Sequence, residues 1–326
     1  MRGDPEPAAD ASTGHPVPAP RAAPARGRRL SPRARRAAIG YVLVLPALVA
    51  FGLFVFYPLV KTAYLGLYAQ PVFPGLPTRY VGFSQYSSVL SSPEFLGDLW
   101  RTVLFILFTM PLGIALGLGM AVLAHKRLAG IRIFRLIFSS TIATSVAVAS
   151  VIFFTLLDPQ VGLITYLLGQ RGGAGLLNSP TWALPAVALT TIWQNLGFTF
   201  ILMSAALQSV PDELIEAAAV DGSSPTASFW RVTFPLLSPQ MFFVGVIGII
   251  AGFQAFGQIY ILTGGAGGPD NATTTVLFDI YTNAFVNNNM GVASVMAIAL
   301  FVVLLVLTAL QFLVLQRRVF YAGAGA

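Results

Sequence analysis

Six long apolar stretches, at approximately 38–60, 100–124, 135–157, 182–207, 240–263 and 292–316, constrain this chain more than any other feature. About 20 apolar residues in helical form cross the ~30 Å hydrocarbon core of a bilayer. The pattern predicts an all-α polytopic membrane protein with six transmembrane helices. Pro46, Pro58, Pro111 and Pro185 fall inside these stretches; neighbouring helices can satisfy the carbonyls that proline leaves free. Composition agrees. Of the residues, 56% are hydrophobic and 10% charged, with a mean hydropathy of +0.77, whereas a soluble domain carries roughly 25% charged residues. Charge this sparse cannot clothe a water-facing surface.

The basic residues set an orientation. Arg2, Arg21, Arg26, Arg28, Arg29, Arg33, Arg35 and Arg36 precede the first stretch. Lys126, Arg127, Arg132 and Arg135 lie between the second and third, Arg231 between the fourth and fifth, and Arg317 and Arg318 after the last. The opposite side keeps Lys61, Arg79, Arg101 and Arg171. The positive-inside rule then puts both termini in the cytoplasm, as an even number of spans requires. Residues 1–36, rich in Pro, Ala and Arg, read as a disordered basic cytoplasmic tail, residues 37–320 as the membrane domain and residues 321–326 as a short C-terminal tail. The first apolar stretch is too long and too far from the start for a cleaved signal peptide. The net charge of +7 comes from residues flanking apolar stretches, a distribution that argues against nucleic acid as a partner. With no cysteine, the chain has no disulfide framework and no thiolate site.

The loop at 209–239 is the most informative water-facing segment. Its chemistry predicts a helix, a turn and a second helix. Ser209 followed by Asp212 fits a capping-box-like start, with Pro211 in the first turn. Asp212, Glu213 and Glu216 stand near the positive end of the helix dipole. Gly222 can take a left-handed conformation and stop the helix. Ser224 and Pro225 supply a cap and a first residue for the next helix, which Pro235 is expected to end.

In this loop Glu216-Ala217-Ala218 is followed by three residues, Gly222, nine residues and Val232-Thr233-Phe234-Pro235. The spacing resembles the EAA loop of binding-protein-dependent ABC importer permeases, E-A-A, three residues, G, nine residues, I-x-L-P, with Val232 and Phe234 in place of Ile and Leu. The resemblance extends over about residues 38–320: Tyr80-Val81-Gly82-Phe83 through Trp100-Arg101-Thr102, Asp158-Pro159-Gln160-Val161-Gly162, and Leu262-Thr263-Gly264-Gly265 with Gly267-Gly268-Pro269 are similar to linkers of sugar-type permeases. It points to the carbohydrate importer family with maltose-type and glycerol-3-phosphate-type members, and within it to a first permease subunit. The resemblance implies a protein of the plasma (inner) membrane that pairs with a second permease subunit. A dimer of ATPase subunits would dock on the loop through Glu216, Ala217, Ala218, Asp221, Gly222 and Pro235. An external solute-binding protein would deliver the solute. ATP and magnesium would belong to the ATPase subunits, leaving this chain without a cofactor. No GxxxxGK[ST] loop occurs in the sequence, which fits a chain that does not hydrolyse ATP itself.

A sugar or polyol needs hydrogen-bonding side chains inside the membrane. The fourth stretch has Gln194 and Asn195, and the fifth has Gln254 and Gln258, four residues apart and so on one helical face. These four are the expected solute-pathway residues, although polar side chains also serve to join membrane helices. The stretch interiors are poor in ionisable groups, which proton-driven transport usually needs. A secondary transporter or facilitator working without an ATPase is the alternative, and it would need an ion site or inverted repeats. Catalysis has little to build on. His15 lies in the tail, and His125 closes the second stretch where it favours a helix C-terminus.

Overall fold

The computed structural model describes residues 32–70, 77–125, 130–169 and 175–315. The chain divides into two compact units, one ending at Phe56 and one starting at Tyr57. The first contains α1 (Pro32–Phe51), with Pro46 inside it, and a widened π turn at Gly52–Phe56. Because α1 begins at Pro32, the end of the predicted tail is helical and its boundary at residue 36 is corrected. Proline suits a first helical turn, where no amide partner is needed. The rest of the tail, with His15, lies outside the described residues, as do Lys126, Arg127, Arg171, Arg317, Arg318 and the 321–326 tail.

The second unit opens with α2 (Tyr57–Leu65) and a two-residue hairpin ladder, β1 (Tyr68–Ala69) against β2 (Arg79–Tyr80). Next come α3 (Ser84–Leu90), α4 (Pro93–His125), α5 (Ile131–Ser139), α6 (Val146–Leu156) and α7 (Leu163–Leu167). Then follow α8 (Ala183–Gln208), α9 (Asp212–Val220), α10 (Pro225–Ser228), α11 (Phe234–Leu236) and α12 (Ser238–Phe253). The last are α13 (Gly257–Leu262), α14 (Val276–Tyr281) and α15 (Met290–Leu310). Among the described residues, four helices are long and apolar enough to cross a membrane: Gly40–Leu65, Pro93–His125, Ala183–Gln208 and Met290–Leu313. The number rises to six if each of two bent pairs is one span.

Those bent pairs correct the picture of straight spans. The expected third span is α5 and a 3₁₀ turn (Ser140–Ala143), then α6 turned by 108°. Ser145 caps α6 by accepting the Val148 amide hydrogen at 3.2 Å, a signal that stops one helix and starts another. The second bent pair joins Pro225–Leu236, from the expected loop, to α12 with a 60° bend at the start of the expected fifth span. The far end of that span breaks again between α12 and α13. The second span also starts earlier than read from the sequence: α4 extends back to Pro93 and carries Asp98, only 4% exposed, ion-paired to Arg101 at 2.6 Å. Helix α14, extended by a π turn at Thr282–Val286, is an apolar element the sequence reading did not anticipate.

Packing centres on α4 and α8. They approach so closely at Gly117 that a Cβ there would lie 2.5 Å from the Thr199 methyl. Three apolar clusters form the core of the unit. One gathers Phe105, Phe153, Val187, Ile259 and Phe278; a second gathers Leu118, Met203, Leu237 and Val244; a third gathers Phe95, Ile106, Met296 and Leu300. Small residues at helix contacts let backbones approach, which is how helices associate where lipid removes the hydrophobic drive.

Candidate functional site

Between α4, α6, α8, α12 and α13 lies a cavity of about 600 Å³, a size suited to a small solute. Thr109, Thr191, Gln194, Asn195, Gln254 and Gln258 face it, among apolar neighbours such as Met110, Ile192 and Phe256. All four side chains expected from the sequence therefore meet at one place. Gln258 is 7% exposed, and its Nε2 donates to Gln194 Oε1 at 3.2 Å, joining α13 to α8. Asn195 turns back on its own helix, donating to the Thr191 carbonyl at 2.9 Å. Gln254 is exposed at the end of α12.

The geometric reason given for pairing Gln254 with Gln258 is corrected. They do not share one helix: α12 stops at Phe253, and α13 begins at Gly257 after Phe256 departs from helical geometry (φ −139°, ψ −55°). The break faces the cavity, where irregular backbone at membrane depth is tolerated. Its Ala255 carbonyl accepts the Thr275 hydroxyl at 3.0 Å. The Thr102 hydroxyl accepts the Val276 amide hydrogen at 3.0 Å, fixing the start of α14 against α4. Gly252 and Gly257, flanking the break, were the sequence signal that could have located it.

At the other end of α12 stands the 209–239 loop. Helix α9 closes in a Schellman turn: Ser223 N–H donates to the Ala218 carbonyl at 2.9 Å and Gly222 N–H to the Ala219 carbonyl at 3.0 Å. Gly222 has φ +80°, the left-handed conformation that glycine adopts without strain. Ser224 then caps α10, accepting from Ala227 N at 3.3 Å, with Pro225 in the first turn. Two local expectations differ from the structure. Ser209 does not cap α9; its hydroxyl donates to the Ala206 carbonyl at the end of α8, and Pro211 occupies the cap position. Pro235 does not end the second helix but sits inside α11. The π turn at Phe229–Thr233 before it widens the spiral where the proline ring would meet a carbonyl of the preceding turn.

Glu216, Ala217, Asp221 and Gly222 are exposed, while Ala218 and Pro235 are half-buried. Ile215 packs into the cluster around Met203 and Leu237, so α9 is tied to α8 and the start of α12. The sequence reading missed the apolar part of this surface. Val220 is 88% exposed, and Leu214 and Trp230 are also exposed. Solvated apolar side chains beside a thin alanine face are what a docking surface presents.

A helical membrane unit with a polar cavity at a broken helix, and a rigid helix–turn–helix at one end, is the architecture of a membrane transport subunit. Residues 86–320 match the family described as binding-protein-dependent transport system inner membrane component, and the chain belongs to it. It is a multi-pass inner-membrane permease subunit of an ABC importer. The chain is 34% identical over 284 residues to the sn-glycerol-3-phosphate transport system permease protein UgpA of Rhizobium meliloti (strain 1021), covering 86% of this chain and 96% of that protein. It is 30% identical to the sulfoquinovosyl glycerol transport system permease protein SmoG of Agrobacterium fabrum (strain C58 / ATCC 33970), covering 86% and 91%. Its fold matches a chain of a bacterial alginate ABC transporter, crystallised with an alginate pentasaccharide-bound periplasmic protein, with a TM-score of 0.74 at 20% identity, over 89% of this chain and 98% of that one.

Proposed function

We propose that this subunit passes a sugar or sugar-like solute to the cytoplasm by alternating access, working with a second permease subunit, a pair of ATPase subunits and an external solute-binding protein. The observation that carries the reading is the convergence of Gln194, Asn195, Gln254 and Gln258 on one cavity at the α12–α13 break. Carboxamides both donate and accept, so they can follow the hydroxyls of a sugar in either sense. The subunit crosses the membrane six times with both termini cytoplasmic, each bent pair counting as one span, which puts the 209–239 loop on the ATPase side.

In this mechanism the exposed face of α9 enters a cleft of the ATPase subunit. Glu216 supplies a carboxylate for a basic group there, and the Schellman turn at Gly222 makes α9 and α10 move as one lever. Closure of the ATPase dimer on ATP draws the loop inward. Helix α12, joined to that lever through the 60° bend after Leu236, tilts and opens the cavity outward; hydrolysis resets it. Glu216→Lys and Gly222→Asp test the coupling role: uptake is abolished while membrane insertion persists. Wild-type uptake by both variants contradicts it.

A further inference from the structure

One group of ionisable side chains has no part in the importer mechanism. Asp98, only 4% exposed, lies one turn before Thr102 on α4. Its carboxyl is in hydrogen-bond contact with that of half-buried Asp279 on α14. The packing around them is apolar: Phe95 and Leu99 of α4, Val276 and Ile280 of α14 and Met296 of α15 belong to one cluster. Two further bonds orient the pair. Arg101 donates to Asp98 Oδ1 at 2.6 Å, and Asn283 Nδ2 donates to Asp279 Oδ1 at 2.9 Å.

An ionised carboxylate has acceptors only, so two of them cannot hydrogen-bond to each other; one must carry a proton. Charge leads to the same result. With both ionised, the Arg101 guanidinium balances one carboxylate and leaves a net negative charge among apolar side chains, a costly arrangement. One shared proton brings the three side chains to zero. Their surroundings offer no substitute for it. Of the helices packed on α4 and α14, α8, α12 and α15 contain no ionisable residue. Helix α3 brings only Tyr86, whose hydroxyl donates to the Ala63 carbonyl, and Arg135 of α5 meets α4 at its far end, at Ala124. Glu94, exposed one turn earlier on α4, adds negative charge, and Tyr281 of α14 packs on Tyr260 of α13.

The contact bears on the cavity through α14. The Thr102 hydroxyl donates to the Asp98 carbonyl at 2.7 Å and accepts the Val276 amide hydrogen at 3.0 Å. Next to Val276, Thr275 holds the Ala255 carbonyl of the helix break, and Leu277 lines the cavity. The Asp98–Asp279 contact pins α14 one turn beyond the point where Thr102 holds its start. Neither carboxyl lines the cavity; both act on it by positioning α14.

We infer that Asp98 and Asp279 hold one proton between them at neutral pH, and that this proton is a positioning latch tying α14, and with it the cavity wall, to α4. The inference goes beyond the importer reading, and its test needs no transport. Infrared difference spectra of the complex in nanodiscs, wild type against Asp279→Asn at neutral pH, read the C=O stretch of a protonated carboxyl group. Wild type shows such a band. Asp279→Asn, whose amide donates to Asp98 without an added proton, lacks it; Asp98→Asn removes the same band and serves if the first variant does not assemble. Hydrogen exchange of the Val276 amide, corrected for the intrinsic effect of pH, is the second readout. A latch that needs a proton is complete at low pH and is lost as the pH rises through the value at which the pair releases it. Exchange in wild type therefore speeds up about 10- to 100-fold between about pH 6 and about pH 9, while in Asp279→Asn it stays constant. A purely structural contact would give both proteins the same profile. Equal pH profiles overturn the inference, as does a wild-type spectrum without the carboxyl band. So does loss of Val276 protection when divalent cations are removed with a chelator, which would put a metal ion between the carboxylates.

Discussion

Replacing Gly222 by valine perturbs one turn and little else. A Cβ at this position would meet no atom within 4 Å, so the substitution creates no collision. Its cost is the backbone conformation alone, φ +80°, which disfavours an L side chain by about 1–2 kcal/mol, toward the upper figure for a β-branched residue. Ordered and frayed forms of the turn then shift by about 5- to 30-fold. The bonds at risk are those from Ser223 N–H to the Ala218 carbonyl and from the residue 222 amide to the Ala219 carbonyl. Hydrogen exchange of the importer in nanodiscs reads them directly. Amides at 222 and 223 exchange about 5- to 30-fold faster in Gly222→Val, while α8 and α12 keep their protection and the protein inserts normally. Gly222→Asn shows a smaller change, because asparagine tolerates the left-handed region. ATP-driven uptake falls in the same order, valine below asparagine below wild type. Unchanged protection at 222 and 223 in Gly222→Val would refute the argument that the left-handed residue holds the lever rigid.

Other predictions follow from single contacts. Gln194→Leu leaves the buried Gln258 amide without its partner, at about 1–3 kcal/mol, and Gln258→Leu costs less because the half-buried Gln194 faces the cavity; a double-mutant cycle on thermal stability gives a coupling nearer about 0.6 kcal/mol, the usual scale inside membranes. Gly117→Val forces apart α4 and α8 where the Thr199 methyl already meets an added Cβ; overpacking costs about 1–3 kcal/mol, read as a lowered melting temperature of the purified complex. Asp158 Oδ1 accepts the amide hydrogens of Val161 and Gln160 at 3.0 and 2.8 Å, and these bonds hold its carboxyl below its ordinary value of 3.8. A depressed folded pKa means that the turn's stabilisation is complete above 3.8 and is lost as the pH falls through the lower folded value. Exchange of the Val161 and Gln160 amides therefore rises in that acid window, and Asp158→Asn abolishes the pH dependence.

The helical membrane character of the chain was legible because apolar runs of span length have few other uses. The caps of the loop were legible for the same local reason. Gly222, Ser224 and Pro225 act through backbone preferences that neighbours do not override, and the structure places each in the conformation its residue type favours. Interruptions within apolar runs were not legible. The local hints, Ser145 at one break and Gly252 and Gly257 at the other, do not by themselves separate a break from ordinary polar or small residues of a span, and the break at 254–256 is held by a hydroxyl from Thr275, twenty residues further on. Pro235 misled because a π turn, which has no sequence signature, absorbs its ring. The residue types in the cavity were legible, since amides in an apolar run are costly unless used. Their arrangement around a broken helix depends on tertiary contacts, such as that of the Thr275 hydroxyl with the Ala255 carbonyl, that no local pattern encodes.

The central claim, that this chain works as one half of an ATP-driven permease through its 209–239 loop, is tested most directly by what the chain holds on to. The tagged protein is purified from native membranes in mild detergent, and its companions are identified by mass spectrometry, for wild type and Glu216→Lys. The account predicts that wild type brings down an ATPase and a second polytopic permease in stoichiometric amounts, and that Glu216→Lys retains the second permease while losing the ATPase. A wild-type chain recovered folded, alone and able to exchange solute across liposomes without ATP would contradict the account and make it a self-sufficient transporter.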